Sequence, residues 1–192
     1  MGGVMTDIAD DPELSRTTLR KALSAVPTPV TVVTASDSEG PYGLVAGSFV
    51  SISLDPPLVG FFAARSSTSW PRIAQTGFFA INVLAAGQDD LCVRFSRSGG
   101  DKFTGMRWTS SELGNPLLPG AVLWIDCRLW EVKALGDHLL AVGRVIALHE
   151  GAQSEPLVFH ANELHTLPPK HNEGLIPPSP QACRSFEVPR VS

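Results

Sequence analysis

The order of apolar and polar residues first predicts a short amphipathic helix near the start of the chain. Its apolar face has the i, i+3, i+4, i+7 spacing and consists of Leu19, Ala22, Leu23 and Val26. Asp11 and Pro12 are typical of an N-cap and a first helical turn, so we expect the helix to begin there and to end at Pro27. The continuous apolar face predicts that this helix covers a sheet.

The apolar period then changes to two residues, which is the period of β-strands. The strands predicted in this way cover residues 30–35, 50–54, 58–64, 78–84, 121–135, 138–148 and 156–159. Val50, Ile52 and Leu54 alternate with serines, which predicts one buried and one polar face for the second strand. In residues 121–135 the alternation shifts phase at Trp130, which indicates a β-bulge.

Short helices are predicted between some of these strands. One follows the Ser/Thr-rich run at 65–69 and ends at Gly77, and another covers residues 88–96. Residues 99–120 are rich in Gly, Pro and Ser and predict an ordered loop. Because strands and helices do not alternate regularly, the expected fold class is mainly β, an antiparallel barrel with a few short helices.

The chain is long enough for one globular domain, which we place at residues 11–167. Residues 1–10 predict a flexible N-terminal arm, and residues 168–192 form a proline-rich C-terminal tail. The start of the chain lacks the basic and apolar regions of a signal peptide, and no apolar run has the length of a membrane helix. We therefore expect a cytoplasmic protein that does not bind membranes.

Charge and reactive residues narrow the function further. A net charge of −4 and a pI near 5.7 argue against a nucleic-acid partner, because no basic stripe is present. The cysteines, Cys92, Cys127 and Cys183, form no C-x-x-C pair and are interpreted as reduced thiols, two of them in apolar surroundings. The histidines at 160, 165 and 171 match no zinc-binding spacing, so no metal site is predicted.

The common nucleotide and nucleophile motifs, G-x-G-x-x-G, G-x-x-x-x-G-K-[ST] and G-x-S-x-G, are absent from the sequence. The run RSSTS at 65–69 precedes a predicted helix and offers a guanidinium, hydroxyls and free N–H groups, which suit a phosphate. An ordinary polar helix cap is the alternative. Gly136, Asp137 and His138, taken alone, indicate a hairpin turn and a histidine that begins a strand.

Five segments carry a resemblance to a known family. They are PVTVVTA (29–35), SFVSISLDPPLVGF (48–61), GFFAINVLAAGQ (77–88) with RF (94–95), GGDKFTG (99–105) and GDHLLAVGRV (136–145). In this order they resemble the short-chain flavin reductases, which often serve two-component flavin monooxygenases. The resemblance covers most of the chain and implies that residues 11–167 form a split β-barrel of the Greek-key, FMN-binding type.

The resemblance also implies which residues form the site. His138 is expected to be the catalytic residue, positioning the nicotinamide or balancing charge on the reduced flavin. Ser67, Ser69 and Lys102 are the best candidates for the flavin phosphate. The full implied set of cofactor-binding residues is Val45, Ala46, Gly47, Ser48, Ser51, Arg65, Ser66, Ser67, Ser69, Phe95, Lys102 and Phe103. Core packing is the alternative for the two phenylalanines, and a solvent-facing strand is the alternative for the serines at 48 and 51.

The chain departs from the family's usual pattern at several positions. Val45 and Gly47 occupy positions where the family usually has Thr and Asn, so side-chain contacts to the flavin ring are lost. Asn162 and Leu164 occupy positions where Gly and Tyr are common. Asn tolerates the left-handed conformation of a glycine, whereas Leu lacks the tyrosine hydroxyl.

The implied activity is reduction of FMN or FAD by NADH or NADPH. The resemblance further implies a homodimer and a separate flavin-dependent monooxygenase as the partner that receives the reduced flavin. One alternative is a split-barrel oxidase or oxygenase that retains its flavin, and another is a non-enzymatic flavin-binding protein. The sequence leaves the choice between the two flavins and between the two nicotinamide nucleotides open.

Overall fold

The computed structural model describes residues 15–152 and 154–168, so the predicted arm and residues 169–192 of the predicted tail lie outside the described residues. The helices are α1 (Arg16–Leu23), α2 (Trp70–Thr76) and α3 (Asp89–Ser96). The strands are β1 (Thr28–Pro29), β2 (Thr31–Asp37), β3 (Gly40–Ala46), β4 (Val50–Leu54), β5 (Pro57–Ala64), β6 (Phe78–Val83), β7 (Thr109–Ser110), β8 (Pro116–Leu117), β9 (Leu123–Leu135), β10 (His138–Glu150), β11 (Leu157–His160) and β12 (Glu163–Thr166). None of the described helices combines the length and hydropathy needed to cross a bilayer.

The main sheet is antiparallel and has seven strands in the order β3-β2-β6-β9-β10-β5-β4. Two hairpins build much of it: Asp37 pairs with Gly40 at the β2–β3 turn, and Leu135 pairs with His138 at the β9–β10 turn. Gly136 adopts φ 59° in the second turn, a left-handed conformation that glycine reaches without strain. β3 is missing from the sequence prediction because its Gly and Pro residues interrupt the alternation of apolar side chains.

The larger core cluster shows that this sheet curls. It takes buried side chains from β2, β3, β5, β6, β9, β10 and α2. β3 and β5 are far apart in the strand order, so they reach the same core only because the sheet bends round it. At the centre, Phe61 makes edge-to-face contacts with Trp70 and Phe79, at centroid distances of 5.5 and 5.6 Å. The mainly β, split-barrel fold class is thus confirmed.

The predicted bulge in the longest strand is also confirmed. In the β9–β10 pair, Val142 lies opposite Glu131 and the next residue, Gly143, lies opposite Leu129. Trp130 is the extra residue, at the position where the apolar alternation changes phase. A bulge of this kind bends the strand and increases its twist, which suits a sheet that curls round a core.

Buried polar side chains hold the 99–120 loop against the sheet. Asn82 Nδ2 donates to Thr34 Oγ1 (2.9 Å), and Asn82 Oδ1 accepts a hydrogen bond from the Leu118 N–H (2.8 Å). Asn115 Nδ2 donates to Asp126 Oδ1 at 2.9 Å. Because buried polar groups are costly without partners, this network orders a segment that has little regular secondary structure of its own.

Two apolar faces differ from their predictions. α1 begins at Arg16, with Ser15 as the N-cap, and no residue of the helix is buried, so it does not cover a sheet. Its Leu23 is 58% exposed. The predicted N-cap and first turn, Asp11 and Pro12, lie outside the described residues. The apolar face of β4 is exposed as well, with Leu54 at 90%, because β4 is an edge strand whose apolar side faces away from the core.

The chain also contains a final hairpin that the sequence prediction missed. β11, predicted as the last strand, pairs with β12, and His160 lies opposite Glu163 at the turn. Ala161 and Asn162 form this turn with φ of 52° and 66°. The prediction that Asn162 accepts a left-handed conformation is confirmed. β12 is mostly polar and exposed, so it carries no strand pattern of its own.

Candidate functional site

A cavity of about 540 Å³ lies where the ends of β3 and β5 approach the C-terminal end of α3. The sequence-predicted residues that line it are Val45, Ala46, Gly47, Ser48, Ser66, Ser67, Ser69, Phe95, Lys102 and His138. His138 reaches the cavity because β10 pairs with β5, which sets this residue opposite Ala64. Three predicted residues, Ser51, Arg65 and Phe103, are not among those that line this cavity.

The serine run connects β5 to α2. Ser67 Oγ accepts a hydrogen bond from the Trp70 N–H at 3.1 Å and thereby satisfies the first turn of α2. Ser66, Thr68 and Ser69 also line the cavity. α2 ends at Gly77, whose φ of 73° provides the left-handed C-cap that the sequence predicts. Ser67 therefore caps the helix. The hydroxyl residues of the run also form part of the cavity wall.

Lys102 connects three parts of the site. Its Nζ donates to the carbonyl oxygens of Gly43 (3.0 Å) and Phe95 (3.1 Å) and to Ser69 Oγ (3.3 Å). An ammonium group has three N–H donors, so these bonds use all of them. Desolvation in this half-buried position lowers the pKa of Lys102 below its ordinary value. Lys102 thus links β3, α3 and the serine run, and its charge lies beside the cavity.

The turn that carries Lys102 is fixed by its neighbour Asp101. Asp101 Oδ1 accepts the backbone N–H groups of Phe103 (2.8 Å) and Thr104 (3.1 Å). The Thr104 hydroxyl donates to the other carboxylate oxygen, and this bond is the main cause of the lowered pKa of Asp101. The DKFTG string is therefore a carboxylate-stabilised turn that presents the lysine to the site.

The two predicted phenylalanines have different positions. Phe95 and Phe103 are only 1% and 6% exposed and pack edge to face at a centroid distance of 5.1 Å. Phe103 is therefore a core residue only, whereas Phe95 belongs to the core and also lines the cavity. Gly43 lets α3 approach β3, because a Cβ at this position would lie 2.4 Å from the Phe95 ring.

The structure places Ser48 at the cavity and Ser51 away from it. Ser48 Oγ accepts the N–H of Phe62 at 2.8 Å, so this side chain fastens the segment after β3 to β5 at the cavity wall. It is therefore not an ordinary solvent-facing strand residue. Ser51 is exposed on β4, away from the cavity, and matches the alternative that the sequence left open for it.

Val45 and Gly47, the positions that depart from the family pattern, lie between two cavities. They line the first cavity and also an apolar cavity of about 730 Å³ bounded by Cys92, Phe159 and other side chains. A Cβ at position 47 would lie 3.2 Å from Thr28 Oγ1, which is tighter than an ordinary contact. The absence of a side chain at Gly47 therefore lets this segment pack closely against Thr28.

His138 begins β10 and is oriented by the preceding residue. Its Nδ1 lies 2.7 Å from Asp137 Oδ1. A carboxylate only accepts hydrogen bonds, so the imidazole nitrogen is the donor and the neutral ring keeps Nε2 as an acceptor. The hydrogen bond with His138 is also the main cause of the lowered pKa of Asp137. The turn predicted at 136–137 thus sets both the position and the tautomer of the histidine.

Arg65 follows β5 directly but lines a neighbouring cavity of about 490 Å³ instead of the first one. Its backbone N–H donates to the Asp137 carbonyl oxygen at 3.0 Å, which joins the end of β5 to the β9–β10 turn. The neighbouring cavity is also lined by Arg16 and His138. Arg65 therefore shares a cavity with Ser66 but not with Ser67 or Ser69.

Several lining residues were missed by the sequence prediction. They are Leu44, Phe62, Ala63, Ala64, Ser96, Arg97 and Ser98. Arg97 matters most, since it brings a positive charge to the cavity and makes none of the side-chain hydrogen bonds found among the described residues. Its signal in the sequence is its place two residues after Phe95, which the RF string already marks.

The remaining reactive residues lie outside the site or outside the described residues. Cys127 is fully buried, and desolvation raises its pKa to about 12, so its prediction as a buried reduced thiol is confirmed. His160 and His165 lie with ring centroids 5.8 Å apart in the β11–β12 hairpin. His171 and Cys183 fall outside the described residues. Within residues 15–152 and 154–168, no group of three metal-ligating side chains comes together.

Comparison with known proteins identifies the family of the chain. A family model described as the flavin reductase like domain matches residues 23–168. The chain is 44% identical over 142 residues to a flavin reductase of Pseudomonas putida, covering 73% of this chain and 84% of that protein. It is 40% identical over 167 residues to the reductase subunit HsaB of a flavin-dependent monooxygenase of Rhodococcus jostii, covering 87% and 84%.

A solved structure supports the same assignment. The NADH:FAD oxidoreductase of Streptomyces globisporus, in complex with NAD and FAD fragments, matches with a TM-score of 0.78 and 33% identity, covering 84% of this chain and 98% of that one. The family model, the sequence relatives and the fold thus agree over most of the chain. The protein belongs to the flavin reductase-like family.

Proposed function

We propose that this protein is an NAD(P)H:flavin oxidoreductase, which passes a hydride from NADH or NADPH to FMN or FAD. The observation that carries the proposal is the single cavity in which most of the predicted flavin-binding residues meet His138. Relatives named as a flavin reductase and as an NADH:FAD oxidoreductase support the same activity.

The residues that line the cavity include the two kinds of group that a flavin requires. Ser66, Ser69 and Arg97 are a donor set that suits a phosphate. Apolar residues, with Leu44 and Phe62 among them, suit a flat ring system. We expect the phosphate to bind at the polar residues and the ring to lie against the apolar ones.

The flavin, when bound, supplies N5 as the acceptor of the hydride that leaves C4 of the reduced nicotinamide. The protein contributes position and charge, and it excludes water from the reacting atoms. Asp137 holds the Nδ1–H of His138, so the neutral Nε2 accepts a hydrogen bond and suits the carboxamide NH₂ of a nicotinamide. In its protonated form, the same imidazole balances negative charge on the reduced ring.

Flavin affinity should be modest, because a reductase that supplies another enzyme has to release its product. The three donors of Lys102 are already bonded within the protein, so the phosphate wall consists largely of neutral hydroxyls and one exposed arginine. We therefore expect dissociation constants in the micromolar range, which correspond to a binding free energy of about −8 kcal/mol. Titration of FMN and FAD into the purified protein measures this directly.

The receiver of the reduced flavin is a separate flavin-dependent monooxygenase in this proposal. The relative from Rhodococcus jostii, named as the reductase subunit of such an enzyme, supports this type of partner. A cytoplasmic location, where NADH and NADPH are produced, is part of the proposal.

A homodimer is also part of the proposal. Its support is the set of apolar side chains left exposed on the single chain: Leu23 and Val26 beside α1, Leu54 on β4, and Ile146 and Leu148 on β10. An interface between subunits would remove these apolar side chains from water. Light scattering after size-exclusion chromatography tests this, and a monomer at assay concentration would contradict it.

The central test is oxidation of NADH and of NADPH by the purified protein, with and without added FMN, FAD or riboflavin. We expect flavin-dependent oxidation with at least one nucleotide. Its absence with every combination would refute the reductase assignment. Two other outcomes would favour the alternatives: a yellow cofactor that does not exchange indicates an enzyme that retains its flavin, and flavin binding without nucleotide oxidation indicates a non-enzymatic flavin-binding protein.

The role of His138 needs a separate comparison. His138→Ala should slow nucleotide oxidation more than it weakens flavin binding, because the histidine is assigned to the nicotinamide. His149→Ala, at the exposed far end of β10, is the matched control and should change neither quantity. Equal losses of turnover and of flavin affinity in His138→Ala would mean that His138 has only a structural role.

A further inference from the structure

A second cavity opens directly beside the flavin cavity. It has a volume of about 490 Å³ and shares Ala64, Ser66 and His138 with the first one. Its other walls include Arg16, Arg65 and Asp137. The two cavities therefore meet at the histidine that the proposed function assigns to the nicotinamide.

The positions of the two arginines are set by different elements. Arg16 is the first residue of α1, and Arg65 follows the last residue of β5. The backbone bond from the Arg65 N–H to the Asp137 carbonyl oxygen, 3.0 Å long, keeps the end of β5 beside the β9–β10 turn. The sequence shows no basic cluster here, because the two residues come together only through the fold.

The charges at this cavity favour an anion. Two arginines, Arg16 and Arg65, and a single acidic residue, Asp137, line it. Among the described residues, neither guanidinium forms an ion pair within 4.0 Å. Arg16 also lies in the first turn of α1, which has no acidic residue, so the positive end of the helix dipole adds to its charge.

We infer that this second cavity, lined by Arg16 and Arg65, binds the phosphate groups of a dinucleotide whose nicotinamide lies at His138. The inference rests on the proposed function and extends it to the place of the second substrate. Guanidinium groups bind phosphate oxygens in a bidentate manner, which matches the diphosphate of NADH and NADPH. The 2′-phosphate of NADPH and the diphosphate of FAD would bind guanidinium groups in the same way, so the titrations below distinguish these sources.

The first measurement is calorimetric binding of ADP-ribose, which has the diphosphate of the nucleotide but no nicotinamide. The parent protein is compared with the Arg16→Ala/Arg65→Ala double variant. Arg107→Ala/Arg128→Ala removes two exposed positive charges that do not line this cavity and is the matched control. We expect each arginine at the cavity to contribute about tenfold to affinity, so the dissociation constant should rise about a hundredfold in the double variant and less than threefold in the control.

Parallel titrations identify the phosphate. A loss of ADP-ribose binding with unchanged FMN binding supports the diphosphate of the nicotinamide nucleotide. A loss confined to 2′-phospho-ADP-ribose supports the 2′-phosphate of NADPH, and a loss confined to FAD, relative to FMN, supports the flavin diphosphate. The first two outcomes support the inference, whereas a loss confined to FAD overturns the assignment of this cavity to the nicotinamide dinucleotide.

The inference is overturned if the double variant behaves like the control with every ligand. It is also overturned if FMN binding falls while riboflavin binding does not, since both arginines would then belong to the flavin phosphate. These titrations need no turnover, so they decide the anion site even if the parent protein fails to oxidise NADH and NADPH. Nucleotide oxidation by the parent tests the proposed function separately.

Discussion

Replacing Lys102 by Met tests whether the lysine acts as a link between elements. The substitution keeps an unbranched side chain of similar length and removes only the charged donor. Three hydrogen bonds are lost, from Nζ to the carbonyl oxygens of Gly43 and Phe95 and to Ser69 Oγ. β3, α3 and the serine run then lose their common partner, so both stability and the shape of the flavin cavity should change.

The magnitude follows from two opposing contributions. A hydrogen bond from a charged donor stabilises a fold by about 1.5–3 kcal/mol, but desolvation of the ammonium, which also lowers the pKa of Lys102, offsets part of this. The bonds border an open cavity, so water replaces some of the lost partners. We therefore expect a net loss of about 2 kcal/mol, which for a domain of this size lowers Tm by about 4–8 °C.

Thermal and urea unfolding of the parent and the variant measure the stability change, and FMN titration measures the change in the site. Lys133→Met, on the exposed part of β9, is the matched control and should shift Tm by less than about 1 °C. In Lys102→Met, FMN affinity should fall together with Tm, because Ser69 loses its anchor and the cavity loses a nearby positive charge. A Tm as high as that of the control would refute the role of Lys102 as a link.

Other substitutions test the neighbouring contacts. Gly43→Ala places a Cβ 2.4 Å from the Phe95 ring, so we expect a loss of about 1–3 kcal/mol in urea unfolding, and an unchanged midpoint would contradict the packing. Asp101 has a pKa lowered mainly by the bond from Thr104, so its stabilising contribution is complete above its ordinary pKa of 3.8 and is lost as the pH falls through the lowered value. The Tm of the parent should therefore fall more steeply in acid than that of Asp101→Asn, and parallel curves would argue against this bond. The buried thiol of Cys127, with its pKa raised to about 12, should react with iodoacetamide only after unfolding, as measured by peptide mass mapping, and rapid native labelling would contradict its burial.

Features that depend on nearby residues follow from the sequence alone. The long strands have the predicted two-residue period, and Trp130 is bulged where that period changes phase. Gly77 ends α2 and Asn162 adopts a left-handed conformation, as expected for residue types that accept this backbone. His138 is recognisable as a candidate site residue because it occurs in a string that resembles a known family, and the serine run because that family is expected to hold its flavin phosphate there.

Features that depend on distant residues are decided only by the tertiary structure. The period of α1 predicts an apolar face but not what covers it, and this face is exposed on the single chain. The sequence predicts a positive charge at Lys102, but its hydrogen-bond partners come from β3, α3 and the serine run. Arg65 lies among serines in the sequence and lines the same cavity as Arg16 in the fold. The period at which side chains repeat along a helix or strand is set by the local backbone, so the sequence predicts it. The residues that a side chain contacts depend on how the curled sheet brings distant strand ends together.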